Sequence, residues 1–387
     1  MELASRATIL TPSLTLSIDS KAKAMKAEGI DVCGFGAGEP DFDTPEHIKV
    51  AAQAALEQGF TKYTASSGIP ELRQAIADKF KADNGIDYKS TQVVVSNGAK
   101  HSCYNAILAT VQPGDEVIIP SPYWLSYPEM VRLAGGEPVF VQTKEENGWK
   151  MTPDEFQDAM TPRTKMVIMN SPNNPTGAVY TREELEAIVE VAAGEDILIL
   201  SDEIYEKLVY DDAKHVSIAS LSKEASDLTI TVNGFSKSYA MTGWRLGYLG
   251  APENIAKAVD AIQSHSTSNP CSFAQKGALA ALKGDQTPVE DMRAEFDLRR
   301  NYMVQRLGTI DRISVVAPQG AFYVLANIGR LGLSSPNFAD RLLSKHHVAV
   351  VPGVAFGNDG TVRLSYATSL DVIKKGLDRF EEFCRTL

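Results

Sequence analysis

Residues 166–177 read MVIMNSPNNPTG, residues 197–205 read ILILSDEIY, and residues 229–237 read TITVNGFSK. Each opens as a short, nearly continuous run of apolar and β-branched side chains and then breaks into polar residues. Runs of this kind suit strands covered on both faces, as parallel strands are. Gln92–Ser96, Glu116–Pro120 and Pro138–Gln142 are further runs of the same type. Helices with legible ends lie between them. Thr181 and Glu184 form a capping box for a helix that Gly194 stops. Thr44-Pro45 offers an N-cap and a first-turn proline for a helix over Glu46–Gln58, ended by Gly59. The alternation predicts an α/β fold, a three-layer sandwich around a mostly parallel central sheet. After about residue 285 the pattern changes to a helix, strands at Phe322–Ala326, Val348–Val351 and Val362–Ser365, and a last helix from Ser369. That reads as a smaller α+β domain. The expected division is an N-terminal segment (1–45) contributing to the small domain and the substrate site, a large ligand-binding domain (46–285) and a small C-terminal domain (286–387).

Composition narrows the class. The chain has 387 residues, 44% hydrophobic and 22% charged, enough for a large core without disulfides or metals. Cys33, Cys103, Cys271 and Cys384 form no CxxC pair, so neither a disulfide framework nor a zinc knuckle is indicated. The net charge of -11 argues against non-specific nucleic-acid binding. No apolar run reaches the ~18 residues of a membrane span. The opening MELASRATIL lacks the basic-then-apolar pattern of a signal peptide. The expectation is a soluble, cytoplasmic enzyme that binds neither membrane nor nucleic acid.

The polar residues just past the strands are where chemistry is expected, because ligands of open α/β sheets bind beyond the carboxyl ends of the strands. Asn173 and Asn174 follow one strand, Asp202 and Tyr205 the next, and Lys237 the third. A buried lysine amine can form an imine with a carbonyl. A carboxylate in such a crevice can hold a protonated pyridine nitrogen. Ser96-Asn-Gly-Ala-Lys100 follows a strand and opens a helix, which makes an anion site, and Arg245 in Met241-Thr-Gly-Trp-Arg245 can close it. Gly34-Phe-Gly-Ala-Gly38 is partly like a dinucleotide fingerprint, but its glycine spacing is incomplete and Glu-Pro-Asp follows, which is turn-like, so a dinucleotide site is not expected. The six histidines show no metal-ligand spacing and receive no role.

Taken in order, NSPNNPTG (170–177), SDEIY (201–205), Ser236-Lys237 and MTGWRLGY (241–248) resemble the class I aminotransferases of fold type I, and most nearly their bacterial aspartate and prephenate aminotransferase subgroup. The resemblance runs from GAGEPDFDTP (36–45) to VRLSY (362–366). It implies pyridoxal 5'-phosphate as cofactor and a homodimer with shared sites. By this resemblance Lys237 is the imine-forming lysine and proton shuttle, Asp202 the partner of the pyridine nitrogen, and Asn174 and Tyr205 the partners of the ring oxygen. Trp124 stacks on the ring. Gly98, Ala99, Ser236 and Arg245 hold the phosphate, with Tyr63 reaching in from a second subunit. Many relatives carry a phosphate-binding serine where this chain has Gly234, with Ser236 placed directly before Lys237; a backbone N–H at Gly234 is the expected substitute.

Substrate binding also follows from the resemblance. Arg363 grips the α-carboxylate with help from the Gly38 backbone, and Trp124 and Asn174 line the same site. Lys100, Ser13 and Thr15 receive a distal carboxylate. Phe322, in Gln319-Gly-Ala-Phe-Tyr323, stands behind the substrate. These residues favour aspartate and 2-oxoglutarate, giving oxaloacetate and glutamate in a ping-pong cycle. The alternatives are prephenate with aspartate or glutamate, alanine, or elimination from a sulfur amino acid. A cofactor-binding regulator without turnover is the rival outside enzymes.

Overall fold

The structure is a computed structural model that describes residues 3–10 and 14–387. All six expected central strands lie in one seven-stranded sheet, ordered Val93–Ser96, Gly247–Gly250, Thr229–Gly234, Leu198–Asp202, Thr164–Asn170, Glu116–Ser121 and Glu137–Gln142. The last five run parallel to one another. Alternate side chains leave on opposite faces, as strand geometry requires. Val117, Ile119, Ile168 and Leu200 enter one core with the helices Ala99–Thr110 and Glu253–Ser266. Ile118, Val167, Met169 and Ile199 enter another with Arg182–Gly194. Three layers result.

The seventh strand, Gly247–Gly250, was not expected. It runs antiparallel between Val93–Ser96 and Thr229–Gly234. Its sequence, GYLG, has no β-branched residue, so it gives no local strand signal. Its glycines serve close packing. A Cβ on Gly247 would overlap the Ala99 nitrogen and lie 2.5 Å from the Gly98 carbonyl carbon, and one on Gly250 would lie 2.5 Å from the Tyr88 ring.

One helix start differs from expectation. The helix Glu46–Glu57 is preceded by Pro45 at the N-cap and has no side-chain cap. The Thr44 hydroxyl instead donates to the Ala240 carbonyl (2.7 Å) and accepts from the Trp244 indole (3.0 Å), tying this segment to the loop after Lys237. The capping box at Thr181 and Glu184 is present, and that helix ends at Gly194 with Glu195 as its C-cap.

Beyond the large sheet, Thr287–Gly308 leads into a four-stranded sheet of Val351–Pro352, Thr361–Ser365, Tyr323–Asn327 and Ser314–Val315. The single expected strand at 348–351 is two short ones. Val348–Ala349 pairs in parallel with Cys33–Gly34, and Val351–Pro352 pairs with Thr361–Ser365. Phe35 packs with Phe296, Leu377 and Phe380 in one core, so the N-terminal segment is built into this unit. Helix Leu14–Ala27 lies against Leu343 and Ala349. Among the described residues, no helix is long and apolar enough to cross a membrane.

The Gly247 contact generates a test. Gly247→Ala must push the Ala99 helix start away, and overpacking of this kind costs ~1–3 kcal/mol. Urea unfolding should show that loss, whereas Gly243→Ala, which meets nothing within 4 Å, should leave stability near wild type.

Candidate active site

A cavity of about 700 Å³ opens at the carboxyl ends of the parallel strands. Register puts it there. Asn170 lies opposite Asp202, and Asp202 opposite Val232, so the polar residues following these strands emerge side by side. Asn174, Asp202, Tyr205, Ser236, Lys237, Arg245 and Arg363 all line this one space, as do Gly38, Ala99, Lys100, Trp124 and Thr15.

One end is built for an anion. Ser96, Gly247 and Gly234 sit in adjacent strands, and the chain leaving Ser96 turns over Gly247 into the helix Ala99–Thr110. Gly98 makes that turn at φ +88°, a conformation that a side chain would strain. The helix begins without a side-chain cap. Arg245, itself left-handed at φ 53°, donates to the Thr242 (2.9 Å) and Asn97 (3.3 Å) carbonyls and so stands over this N-terminus. A Cβ on Gly98 would collide with the Arg245 guanidinium. Helix N–H groups and a guanidinium converging on one spot suit a phosphate. The turn after Thr229–Gly234 adds a hydroxyl. Gly234 already donates its N–H to the Asn233 side chain (2.7 Å) and does not line the cavity, whereas Ser236 does. The backbone N–H expected as a substitute is therefore engaged, and the available donor is Ser236.

At the floor, Asp202 is 4% exposed. Its carboxylate accepts from the Tyr127 hydroxyl (2.7 Å) and the Ile204 N–H (3.2 Å), and the Cys103 thiol lies 3.9 Å away. Burial outweighs these donors and pushes its pKa up to about 6. Lys237 donates to the Gly38 carbonyl. Burial lowers its pKa to about 8, opposed by the charge of Glu39, so a useful fraction of the amine is unprotonated near neutrality. A carboxyl that favours its proton and an amine that gives one up, facing one cavity, are an acid–base pair. Glu39 accepts from Thr242 (2.8 Å) and fixes the Gly38 loop against the large sheet.

Arg363 is 2% exposed and comes from the small sheet. It donates to the Asn174 side-chain oxygen and the Gly36 carbonyl, both at 3.0 Å, and its Nε has no partner among the described residues. Its guanidinium stacks 4.3 Å from the Tyr323 ring and 5.0 Å from the Phe356 ring. A buried planar cation with an unspent donor and no carboxylate counter-ion fits an incoming carboxylate. Lys100 lies 4.8 Å from the Trp124 ring, and burial together with Arg245 lowers its pKa. The Thr15 hydroxyl is buried beside the same cavity, with no partner among the described residues.

Not every expected residue gathers here. Tyr63 is 90% exposed, away from this cavity. Ser13 lies outside the described residues. Gly98 shapes the anion end from behind the lining. Phe322 is fully buried, 5.5 Å from the Lys237 amine, and does not line the cavity. Tyr127, Tyr323 and Glu39 line the cavity but were not singled out from the sequence. The signal for Tyr127 was available, since it follows Trp124 by one helical turn.

Asp202 gives the site a pH signature. Its folded pKa lies above the ordinary carboxylate value, so its neutral form is favoured by folding; that stability is present below about pH 4 and lost as pH rises through about 6. In the cofactor-free protein, Asp202→Asn should gain ~2–3 kcal/mol relative to wild type between those limits and no more above. Urea unfolding across pH reads this, and a pH-independent difference would contradict it.

Comparisons with known proteins agree with this geometry. Residues 30–380 match the family model for aminotransferase class I and II. The chain is 50% identical to an aspartate aminotransferase of Bacillus subtilis, covering 99% of each chain. It is 48% identical to an aspartate/prephenate aminotransferase of Cereibacter sphaeroides, covering 97% of each. The solved aspartate aminotransferase of Thermus thermophilus with maleate superimposes with a TM-score of 0.96 at 44% identity, covering 99% of each chain. On both sequence and structure, the chain belongs to the class I and II aminotransferases.

Proposed function

We propose that this protein is an aspartate aminotransferase that converts L-aspartate and 2-oxoglutarate to oxaloacetate and L-glutamate with pyridoxal 5'-phosphate. The observation that carries the reading is the Lys237 amine facing a cavity that also holds buried Asp202 and the free Nε of Arg363. The residues present fit the cofactor from end to end. Gly98, Ala99, Ser236 and Arg245 offer donors for its phosphate, Asp202 for its ring nitrogen, Asn174 and Tyr205 for its ring oxygen, and Trp124 for its face. When bound, the cofactor supplies an electron sink for the pair left at the substrate α-carbon.

The chain's own residues do the rest. Asp202 Oδ2, oriented by Tyr127, holds a proton at the ring nitrogen. Arg363 and the Gly38 backbone fix the α-carboxylate, which orients the Cα–H bond toward Lys237. Lys237 Nζ would take that proton and hold it for return, as a positioned general base does. Lys100, with the Thr15 hydroxyl and Ser13 by resemblance, receives the distal carboxylate. Lys100 and Arg363, two cations lining the same cavity, select dicarboxylates, each charge-assisted bond contributing ~1.5–3 kcal/mol.

The exposed Tyr63 ring supports a homodimer in which it enters the partner's phosphate site, and we place the enzyme in the cytoplasm. A second reading keeps the same machinery with prephenate as an additional amino acceptor. It is favoured by the 48% identity to a relative bearing both substrate names.

Absorbance titration tests the reading. L-Aspartate without acceptor should bleach the visible cofactor band at low concentration, and 2-oxoglutarate should restore it, with L-alanine far less effective. A band that aspartate leaves unchanged would remove the substrate assignment. Lys237→Ala should fold normally and lose turnover. Lys100→Ala should raise KM for aspartate at least ~10-fold, one charge-assisted bond's worth, while barely changing KM for alanine, which has no distal carboxylate.

A further inference from the structure

Tyr205 and Tyr323 meet hydroxyl to hydroxyl at 2.9 Å, and both are buried. Tyr205 belongs to the turn after Leu198–Asp202 in the large sheet, and Tyr323 opens a strand of the small sheet. Their contact therefore bridges the two units beneath the cavity. The rings pack edge to face at 5.8 Å, with Phe322 against both, so neither hydroxyl can swing away. Of the two tyrosines, the Arg363 guanidinium stacks over Tyr323, at 4.3 Å from its ring.

A hydroxyl pair has one hydrogen between the oxygens and one left over, and the more acidic partner donates the shared one. The charges around the pair decide which that is. Tyr205 faces Lys237, whose amine is 5.8 Å from its ring, Asp202 from the adjoining strand, and Tyr127 from the helix after Trp124. Tyr323 faces Arg363. Burial raises both hydroxyls, Tyr205 well above the usual range, and the Arg363 charge opposes this at both, but only the Tyr323 ring lies directly against the guanidinium, at 4.3 Å. Either hydroxyl can donate across the 2.9 Å contact, and a cation against its ring makes Tyr323 the more acidic partner.

We propose that Tyr323 is a positioning residue: its hydroxyl donates to the Tyr205 oxygen, commits the Tyr205 hydrogen to the cofactor's ring oxygen, and makes that bond respond to a carboxylate on Arg363. This rests on the function proposed above. Before substrate binds, Arg363 polarises Tyr323, which strengthens donation through Tyr205, since linked hydrogen bonds reinforce one another. A substrate carboxylate neutralises Arg363 and relaxes the pair. Proton affinity at the cofactor then rises as substrate arrives.

The test uses the cofactor-loaded protein and the pH midpoint of its visible absorbance band. A hydrogen bond to the ring oxygen favours the deprotonated chromophore, so weakening that bond raises the midpoint. Tyr323→Phe keeps the ring and removes only the hydroxyl. It should raise the midpoint by about half a unit, roughly a threefold change in proton affinity, in the same direction as Tyr205→Phe and by less. In the double variant Tyr205→Phe/Tyr323→Phe, the second change should add nothing, because Tyr323 acts through Tyr205. Maleate, a dicarboxylate with no amino or oxo group, should raise the wild-type midpoint more than that of Tyr323→Phe.

An unchanged or lowered midpoint in Tyr323→Phe, additive shifts in the double variant, or an undiminished maleate response would each overturn the inference while leaving the aminotransferase reading intact. A wild-type protein with no pH-dependent visible band after cofactor addition would overturn that reading and this inference with it.

Discussion

Gly247 has no side chain, and the backbone leaving Ser96 passes directly over it. That close approach lets an antiparallel strand enter an otherwise parallel sheet at the point where the helix Ala99–Thr110 begins. The consequences spread outward. The helix N-terminus comes level with the ends of the parallel strands, Arg245 reaches it from the loop just before the inserted strand, and Asp202 and Lys237 fall within one cavity. A methyl group at position 247 would move the anion end relative to the rest, since strand register leaves Asp202 and Lys237 no freedom to follow.

The site then divides its electrostatics by depth. Asp202 is buried deeply enough to favour its proton, yet Tyr127 and the Ile204 N–H keep it from becoming a neutral bystander. Lys237 is shifted the other way by the same physics, because burial penalises whichever form is charged. Arg363 stays cationic through resonance and is instead held in plane by carbonyl oxygens and two aromatic faces. One low-dielectric cavity thus produces a weakened acid, a weakened base and a full cation, according to the chemistry of each side chain.

How much of this was legible varied with how local the determinant is. The parallel strands were readable because two-sided burial writes itself as apolar runs, and the polar residues after them could be assigned to one crevice because strand ends are shared by topology. The Gly247–Gly250 strand was not, since its pairing depends on partners more than a hundred residues away in Val93–Ser96 and its own composition is that of a turn. Thr44 shows the same limit: its hydroxyl is drawn from the nearby helix end to Ala240 and Trp244 by tertiary packing. Gly234 was read as a donor to the anion, but a bond within its own dipeptide consumes that N–H, and no pattern in sequence announces it. Tyr323 is not legible because its part is set by Arg363, on a neighbouring strand, and Tyr205, in a turn of the large sheet.

The pairing of Cys33–Gly34 with Val348–Ala349 has a temporal side. A ribosome releases the early strand long before its partner exists, whereas every strand of the large sheet has been made once Gly250 emerges. Contacts so distant in sequence form late. The large sheet can therefore settle first around its own cores, while the opening segment waits uncovered with Phe35 exposed. The chain closes on itself only at the end of synthesis, and because Gly38 and Arg363 both belong to that last closure, the protein acquires its carboxylate grip after it has already built its floor.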